Sequence, residues 1–405
     1  MFHISFPQID PQRLAVKLNS AGEKSAKQGH PWIFSESIVK LNKEGNSGDL
    51  AIIFDARNNS VIGVGLYDPH SPIRIKMLHN EGPATINRAF FIEKIAHAYA
   101  LRLDLLQTHT NSYRLLFGEN DGFPGCIADV YNDVLVVKLY SEIWFPYLED
   151  IITELINVSQ CLCVVLRLSR SLQKRDIHQV HDGQVIYGEL TNEVVEFIEH
   201  GINFSAHVIK GHKTGYFLDH RHNRKRVGAL SMGKTVVDVF SYAGGFSVHA
   251  LAQGATEVTS IDISAQALGM AVENSRLNEF AGRHVTLAGD AFTIMTSLIK
   301  ENKQYDVVVI DPPSFAKSKG EIAMAKKKYG QLAMLGVQLT KRGGILMMAS
   351  CSSRVPASDF FTIISETITK SGRSWQLLKQ TAHDVDHPVT FPEGAYLKCG
   401  YYQLN

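Results

Sequence analysis

The stretch VVDVFSYAGGFSVHALAQGATEVTSIDI, residues 236–263, decides the fold. VVDVF reads as a strand, the glycine pair opens a helix over GGFSVHALAQG, and EVTSIDI reads as a second strand. The same alternation runs on. ALGMAVENSRLNEF is a helix, HVTLAGD a strand, AFTIMTSLIKEN a helix and YDVVVIDPP a strand. A long helix containing KKKYGQLAMLGVQLT, the strand GGILMMASCSS and the helix DFFTIISETITKSG follow. Strands alternating with helices of this length predict an α/β architecture, a doubly wound and mostly parallel sheet.

Upstream the pattern differs. Residues 11–75 hold short strand-like runs (RLAVKL, DLAIIFDARNNSVIGVGLYD, PIRIKML) separated by turns, as in a small and mostly β module. INRAFFIEKIAHAYALRLDL, residues 86–105, has helical period. Strand signals follow at 127–140 and 161–169, with a helix expected around 145–156. Three segments are therefore expected: a β module at 1–76, a middle α/β domain at 77–198, and the regular α/β sheet at 199–405. A chain of 405 residues is long enough for this.

Bulk properties exclude little. A net charge of +1 neither requires nor forbids nucleic acid. Five cysteines at irregular spacing form neither a disulfide framework nor a zinc pattern, and Cys161 and Cys163 in CLCVVL read as one face of a buried strand. The N-terminus lacks the charged and apolar regions of a signal peptide and no stretch is long enough to span a bilayer, so the expected location is cytoplasmic.

In a doubly wound sheet, ligands bind at the carboxyl ends of the strands. Three acidic residues lie at such ends here: Asp238, then Asp262 twenty-four residues later, then Asp290. The turn Phe240-Ser-Tyr-Ala-Gly-Gly-Phe246 lets a backbone approach a ligand, yet lacks the GxGxxG spacing that a dinucleotide pyrophosphate needs. Asp262 is placed to accept two ribose hydroxyls and Asp290 to border an adenine. An adenosyl group without phosphates fits this set, which points to S-adenosylmethionine.

The last two apolar strands end on chemistry. VVIDPPSFAKSK, residues 308–319, places Asp311 beside the crevice, and ILMMASCSS, residues 345–353, brings Cys351 to the same edge. Cytosine C5 is too weak a nucleophile to take a methyl group directly, but a thiolate added at C6 makes C5 an enamine carbon. Cys351 can supply that thiolate, with Arg354 favouring its charge. Asp311 can hold the N3 edge, Pro312 and Pro313 can fix the loop, and Phe315 can pack on the flipped base. The densest basic runs, RHNRKR at 221–226 and Lys317, Lys319 and Lys326–Lys328, are candidates for a phosphate backbone. His207, His212, His220 and His222 are close in sequence, but their spacing predicts no metal site.

Several longer motifs occur together: GEKSAKQGHPWIFSESI (22–38), SYRLLFGENDGFPGCIADVYNDVLVVKL (112–139), GHKTGYFLDHRHNR (211–224), FSYAGGFSVHA, DPPSFAKSK, SCSS and DHPVTFPEGAYLK. With them the chain resembles, over nearly its whole length, the RlmI-like bacterial 23S ribosomal RNA large subunit methyltransferases that form 5-methylcytosine. The resemblance implies an N-terminal PUA-like RNA-binding β-barrel, a middle α+β domain and a Rossmann-like class I methyltransferase sheet. It implies 23S ribosomal RNA as partner, S-adenosylmethionine as cofactor, and dimers in some relatives. Cys351 would be the nucleophile and Asp311 the contact to the target base. The turn of Phe240, Ser241, Tyr242, Ala243, Gly244, Gly245 and Phe246, with Asp238, Asp262, Ile263, Asn278, Asp290 and Ala291, would hold the cofactor. Phe217, Asp219 and Arg221 would close over it, and Lys317, Lys319 and Arg354 would meet the RNA beside Pro312, Pro313 and Phe315. The C-terminal motif with His387 would shape the wall of the target pocket.

The chain departs from that pattern at His220, where Gln is usual, and at Ala243, where Thr is frequent. It also lacks the second cysteine that some RNA cytosine methyltransferases use to expel product, so the base that removes the C5 proton is unassigned. Two other readings compete. A guanine N7 methyltransferase shares DPPxF but has no need of a thiol. A non-catalytic RNA-binding assembly protein has no need of an intact cofactor turn.

Overall fold

The computed structural model describes residues 2–175 and 179–405. The chain divides into two compact units, each assembled from separated stretches: Met1–Phe197, Ser205–Leu218 and Val385–Pro392 in the first, and Ile198–Phe204, Asp219–Asp384 and Glu393–Asn405 in the second.

The first unit holds two sheets. One has six strands in the spatial order Trp32–Phe34, Ile73–His79, Val61–Tyr67, Leu50–Phe54, Arg13–Leu18 and Ile38–Leu41. Leu14, Val16, Ala51, Ile53 and Ile75 alternate inward along these strands and form its core. The motif at 22–38 also contains a short helix, Ser20–Lys27, started by the Asn19 side chain accepting from the Gly22 amide. The other sheet runs Gln184–Tyr187, Cys163–Leu168, Val134–Leu139, Cys126–Tyr131, Ser112–Phe117. The apolar run at 127–140, expected as one strand, is a hairpin that reverses at Asn132, whose φ is +55°. Cys161 and Cys163 are both buried in this unit.

A late segment completes this unit. Asp386 is fully buried; its carboxylate accepts from the Arg114 amide at 2.9 Å and pairs with His387 Nδ1 at 2.8 Å. Its carbonyl accepts from Arg102, whose guanidinium is also bidentate on Asp121 (3.0 and 2.6 Å). His387, expected at a target pocket, packs its ring on Phe117 inside this core.

The second unit is built on a seven-stranded sheet: β1 (Thr235–Val239), β2 (Glu257–Asp262), β3 (Arg283–Ala288), β4 (Tyr305–Ile310), β5 (Thr340–Ser350), β6 (Trp375–Thr381) and β7 (Lys398–Leu404). Their order is β3-β2-β1-β4-β5-β7-β6, with β1 to β5 parallel and β7 antiparallel to both neighbours. The helices are α1 (Arg221–Ala229), α2 (Gly245–Ala252), α3 (Ala265–Arg276), α4 (Ala291–Lys300), α5 (Ile322–Leu339) and α6 (Ala357–Lys370). Continuous apolar strands such as YDVVVI are what a sheet covered on both faces demands. Val237, Val308 and Leu346 pack under α4, α5 and α6, while their neighbours Val236, Val307 and Met347 face α1 and α2. No helix among the described residues is long and apolar enough to cross a membrane.

Candidate active site

The topology reverses between β1 and β4, and crossovers leave the sheet on opposite sides there. That opens a crevice at the carboxyl ends of these strands. The chain leaving β1 makes a tight turn in which Phe240 (φ +66°), Tyr242 (+47°) and Gly244 (+77°) all take left-handed conformations. Such backbone costs energy at the two aromatic residues and persists because its surroundings fix it. The Ser241 amide bonds the Ile261 carbonyl at 3.0 Å, the Tyr242 amide bonds Asp262 Oδ2 at 3.0 Å, and Asn274 holds the Ala243 carbonyl at 2.9 Å. A side chain at position 244 would also lie 2.7 Å from Ala271 Cβ, so glycine is required there twice over.

Around this turn the expected cofactor residues separate into two groups. Asp238 is buried, with Oδ2 taken by the Ser247 amide and hydroxyl (3.1 and 2.6 Å). Its Oδ1 and the Ser241 hydroxyl are buried without a partner among the described residues. Burial pushes the Asp238 carboxyl up to about 7. Asp262 ends β2 and Ile263, the next residue, is an apolar side chain 78% exposed. Asp290 caps α4 by accepting from the Thr293 amide at 2.9 Å, with Ala291 buried behind it. Asn278, by contrast, is occupied by protein: it bonds the Asn203 amide and carbonyl, both at 2.8 Å. Phe217 lies in the first unit, where Lys213 Nζ sits 4.5 Å from its ring centroid.

The two residues expected to carry the chemistry are brought together. In the parallel register Ile310 stands beside Met348, so Asp311 and Cys351 leave adjacent strands at one edge. Cys351 Sγ lies 3.7 Å from Asp311 Oδ1, and the thiol is half-buried while the other four cysteines are buried. A third group joins them that the motif reading had set aside. His220, at the start of α1, places Nε2 3.6 Å from Cys351 Sγ and 3.3 Å from Asp311 Oδ2. Its Nδ1 accepts from the Asn223 amide at 3.1 Å, and Asn223 is in turn held by the hydroxyls of Thr381 (2.6 Å) and Tyr401 (2.9 Å). Burial pulls the His220 pKa down, but Asp311 and Asp219 outweigh it and the net shift is upward.

Arg354, expected to favour the thiolate, is exposed. The cation built into the interior is Lys398, the first residue of β7, whose Nζ donates to the carbonyls of Ser352 and Val355 and so anchors the loop that follows Cys351. Beneath that loop the Tyr329 hydroxyl bonds Ser350 Oγ at 2.8 Å. Phe315 stands between Tyr329 (5.3 Å between centroids) and Lys328 Nζ (4.9 Å). Pro312 is buried, whereas Pro313, Lys317 and Lys319 are exposed.

The basic run at 221–226 is not an RNA-facing patch. Arg221 and Arg224 are buried, and Arg224 is bidentate on the fully buried Glu199 (2.7 and 2.6 Å). Burial alone would raise the Glu199 carboxyl, but Arg224 and His249 hold it well below the usual range. Arg226 lies over the Tyr401 ring at 5.0 Å, which leaves Lys225 as the exposed basic residue of that run. Asp219, in the same segment, is buried and accepts from the Tyr396 hydroxyl at 2.9 Å.

A reversed β7 inserted between β5 and β6, a strained turn after β1 and acidic ends on β1 and β2 define a methyltransferase of the S-adenosylmethionine-dependent class. Residues 114–395 match the family described as S-adenosylmethionine-dependent methyltransferase, and the chain belongs to it; residues 16–80 match a PUA-like domain. Among named relatives, a Deinococcus radiodurans ribosomal RNA large subunit methyltransferase is 41% identical over 99% of this chain and 100% of its own length. A Vibrio vulnificus ribosomal RNA large subunit methyltransferase I is 34% identical over 95% of this chain and 98% of its own. In fold, the chain is similar to a Streptococcus mutans protein described as a candidate SAM-dependent methyltransferase (TM-score 0.80, 22% identity, 96% of this chain and 99% of that one). It is similar also to a structure of such a protein complexed with SAH (TM-score 0.81, 22% identity, 97% and 100%).

Proposed function

We propose that this enzyme methylates C5 of a cytidine in 23S ribosomal RNA through a covalent bond between Cys351 and C6. The observation that carries the reading is the half-buried Cys351 thiol, 3.7 Å from the Asp311 carboxylate at the ends of adjacent strands. Transfer to a ring nitrogen would need no thiol there. The ribosomal substrate rests on the names of the relatives, and the PUA-like sheet offers RNA a shape-based grip.

S-adenosylmethionine, when bound, supplies the electrophilic methyl group. The unpartnered Asp238 Oδ1 and Ser241 hydroxyl suit the cationic and polar end of that molecule, Asp262 its ribose, and Ile263 with Ala291 the faces of its adenine. The protein's own residues do the rest. Cys351 passes its proton to Asp311 and adds to C6, Asp311 delivers that proton to N3 as charge moves onto the ring, and Phe315 supports the unstacked base. Lys317 and Lys319, exposed beside Phe315 in sequence, meet phosphates.

The test is methyl transfer from isotopically labelled cofactor to unmodified 23S RNA, followed by digestion to nucleosides. Label is expected in 5-methylcytidine with wild type and absent with Cys351→Ala. Label in 7-methylguanosine, or undiminished transfer by the variant, would sink the reading.

A further inference from the structure

The mechanism above leaves one proton unaccounted for. Once C5 carries both a methyl group and its original hydrogen, a base must take that hydrogen before the S–C6 bond can break. We propose that His220 is this base, acting through Nε2 beside the nucleophilic sulfur. The inference rests on the covalent cytosine reading and extends it.

Position is the first argument. Sulfur and methyl added to opposite faces of the ring leave the C5 proton on the sulfur's face. A base is then needed next to Cys351 Sγ, and His220 Nε2 is 3.6 Å from it. Two neighbouring groups have other tasks: Asp311 is assigned to the N3 edge in the proposed reaction, and Lys398 is bonded to two carbonyls.

The second argument is that the surroundings support both protonation states. As placed, Asn223 Nδ2 donates to Nδ1, which leaves the neutral ring's proton on Nε2. Among the described residues the opposite end of that carboxamide meets the hydroxyls of Thr381 and Tyr401, and hydroxyls donate or accept. A half-turn of the amide keeps both partners and offers oxygen to an Nδ1 proton, which frees Nε2 as the base. Once Nε2 is protonated, Asp311 Oδ2 at 3.3 Å and Asp219 balance the charge. The groups facing the ring are Asp311, Cys351, Asp219, Arg224, His222 and Asn223, with the Phe246 ring 5.5 Å away edge-on.

The step balances. The C5–H electron pair enters the ring, the S–C6 pair returns to sulfur, C5=C6 is restored, and the proton leaves on Nε2 for solvent.

The experiment uses 23S transcript carrying [5-³H]cytidine together with methyl-labelled cofactor, and compares wild type, His220→Gln and His220→Ala. General-base removal predicts that tritium release falls on the order of 10²-fold in both variants. Methyl-labelled RNA should meanwhile accumulate as a denaturation-resistant adduct on the protein. Release of tritium and product at the wild-type rate overturns the proposal. So does a folded variant that forms no methylated adduct, because its defect then precedes the proton step. Should both variants misfold, wild type quenched at pH 5.5 and pH 8 decides: more methylated adduct at the lower pH is expected, and equal partition overturns the proposal. RNA containing 5-fluorocytidine, whose C5 carries no proton, should trap wild type as an adduct. Its failure to do so would remove the covalent reading itself, and this inference with it.

Discussion

A lysine that begins a strand continued by Cys399, Gly400, Tyr401 and Tyr402 carries its charge out of water. Burial pulls the Lys398 pKa down to about 8, and the neighbouring Cys351 pulls the other way by favouring the ammonium. The favour is mutual, so Lys398 supports the thiolate that the reaction needs. Lys398→Met should slow alkylation of Cys351 by iodoacetamide about 10-fold at pH 7 and move its pH curve upward by about one unit. An unmoved curve would leave Lys398 as a loop anchor only. The readout is specific because the other four cysteines are buried. In sequence, Cys351 and Asp311 were legible because each follows an unbroken apolar strand, where side chains are forced into the crevice. His220 and Lys398 gave no such signal. A histidine before a helix and a lysine before a strand are ordinary surface residues until the chain folds them inward.

At the scale of elements, the end of β1 makes a prediction about pH. The Asp238 carboxyl, pushed up to about 7 by burial, prefers to be neutral in the folded protein. A raised carboxyl contributes stability that is full below its unfolded value near 4 and lost as pH rises through about 7. Cofactor-free protein should therefore gain thermal stability from pH 7.5 to 5.5 by more than Asp238→Asn does; parallel trends would refute this. Binding of cationic S-adenosylmethionine should favour the carboxylate, release a proton and tighten between pH 6 and 8. Calorimetry in buffers of different ionisation enthalpy measures that proton directly. Helix α1 makes a different point. Its sequence RHNRKR reads as a basic patch, yet Arg224 neutralises the fully buried Glu199. Arg224→Met should cost about 3–5 kcal/mol in urea unfolding, the scale for leaving a buried charge unpaired. A cost under 1 kcal/mol would mean that water reaches Glu199. Charge composition cannot distinguish an arginine that faces RNA from one that faces a carboxylate twenty-five residues away in sequence.

For the whole molecule, the alternating α/β half was legible from 236 to about 370 because each strand and helix announces itself by period. The last two strands, β6 and β7, were not, since WQLLKQT alternates weakly and KCGYYQL begins on a charge. Nor could local pattern show that Val385–Pro392 belongs to the first unit. That assignment depends on Asp386 meeting Arg114 and Arg102, at sequence separations of 272 and 284 residues. Asp386→Ala should destabilise the first unit by about 3 kcal/mol, measured as a shift in urea midpoint, because the buried Arg114 amide and the buried His387 ring lose their carboxylate partner. The feature also bears on synthesis. A ribosome emits its chain from the N-terminus, so the first half of this protein cannot finish its interior until residues 385–392 have left the tunnel. A polypeptide released early would present an incomplete N-terminal half to cellular proteases. Those eight residues thereby distinguish a chain able to close its first half from one aborted before reaching them.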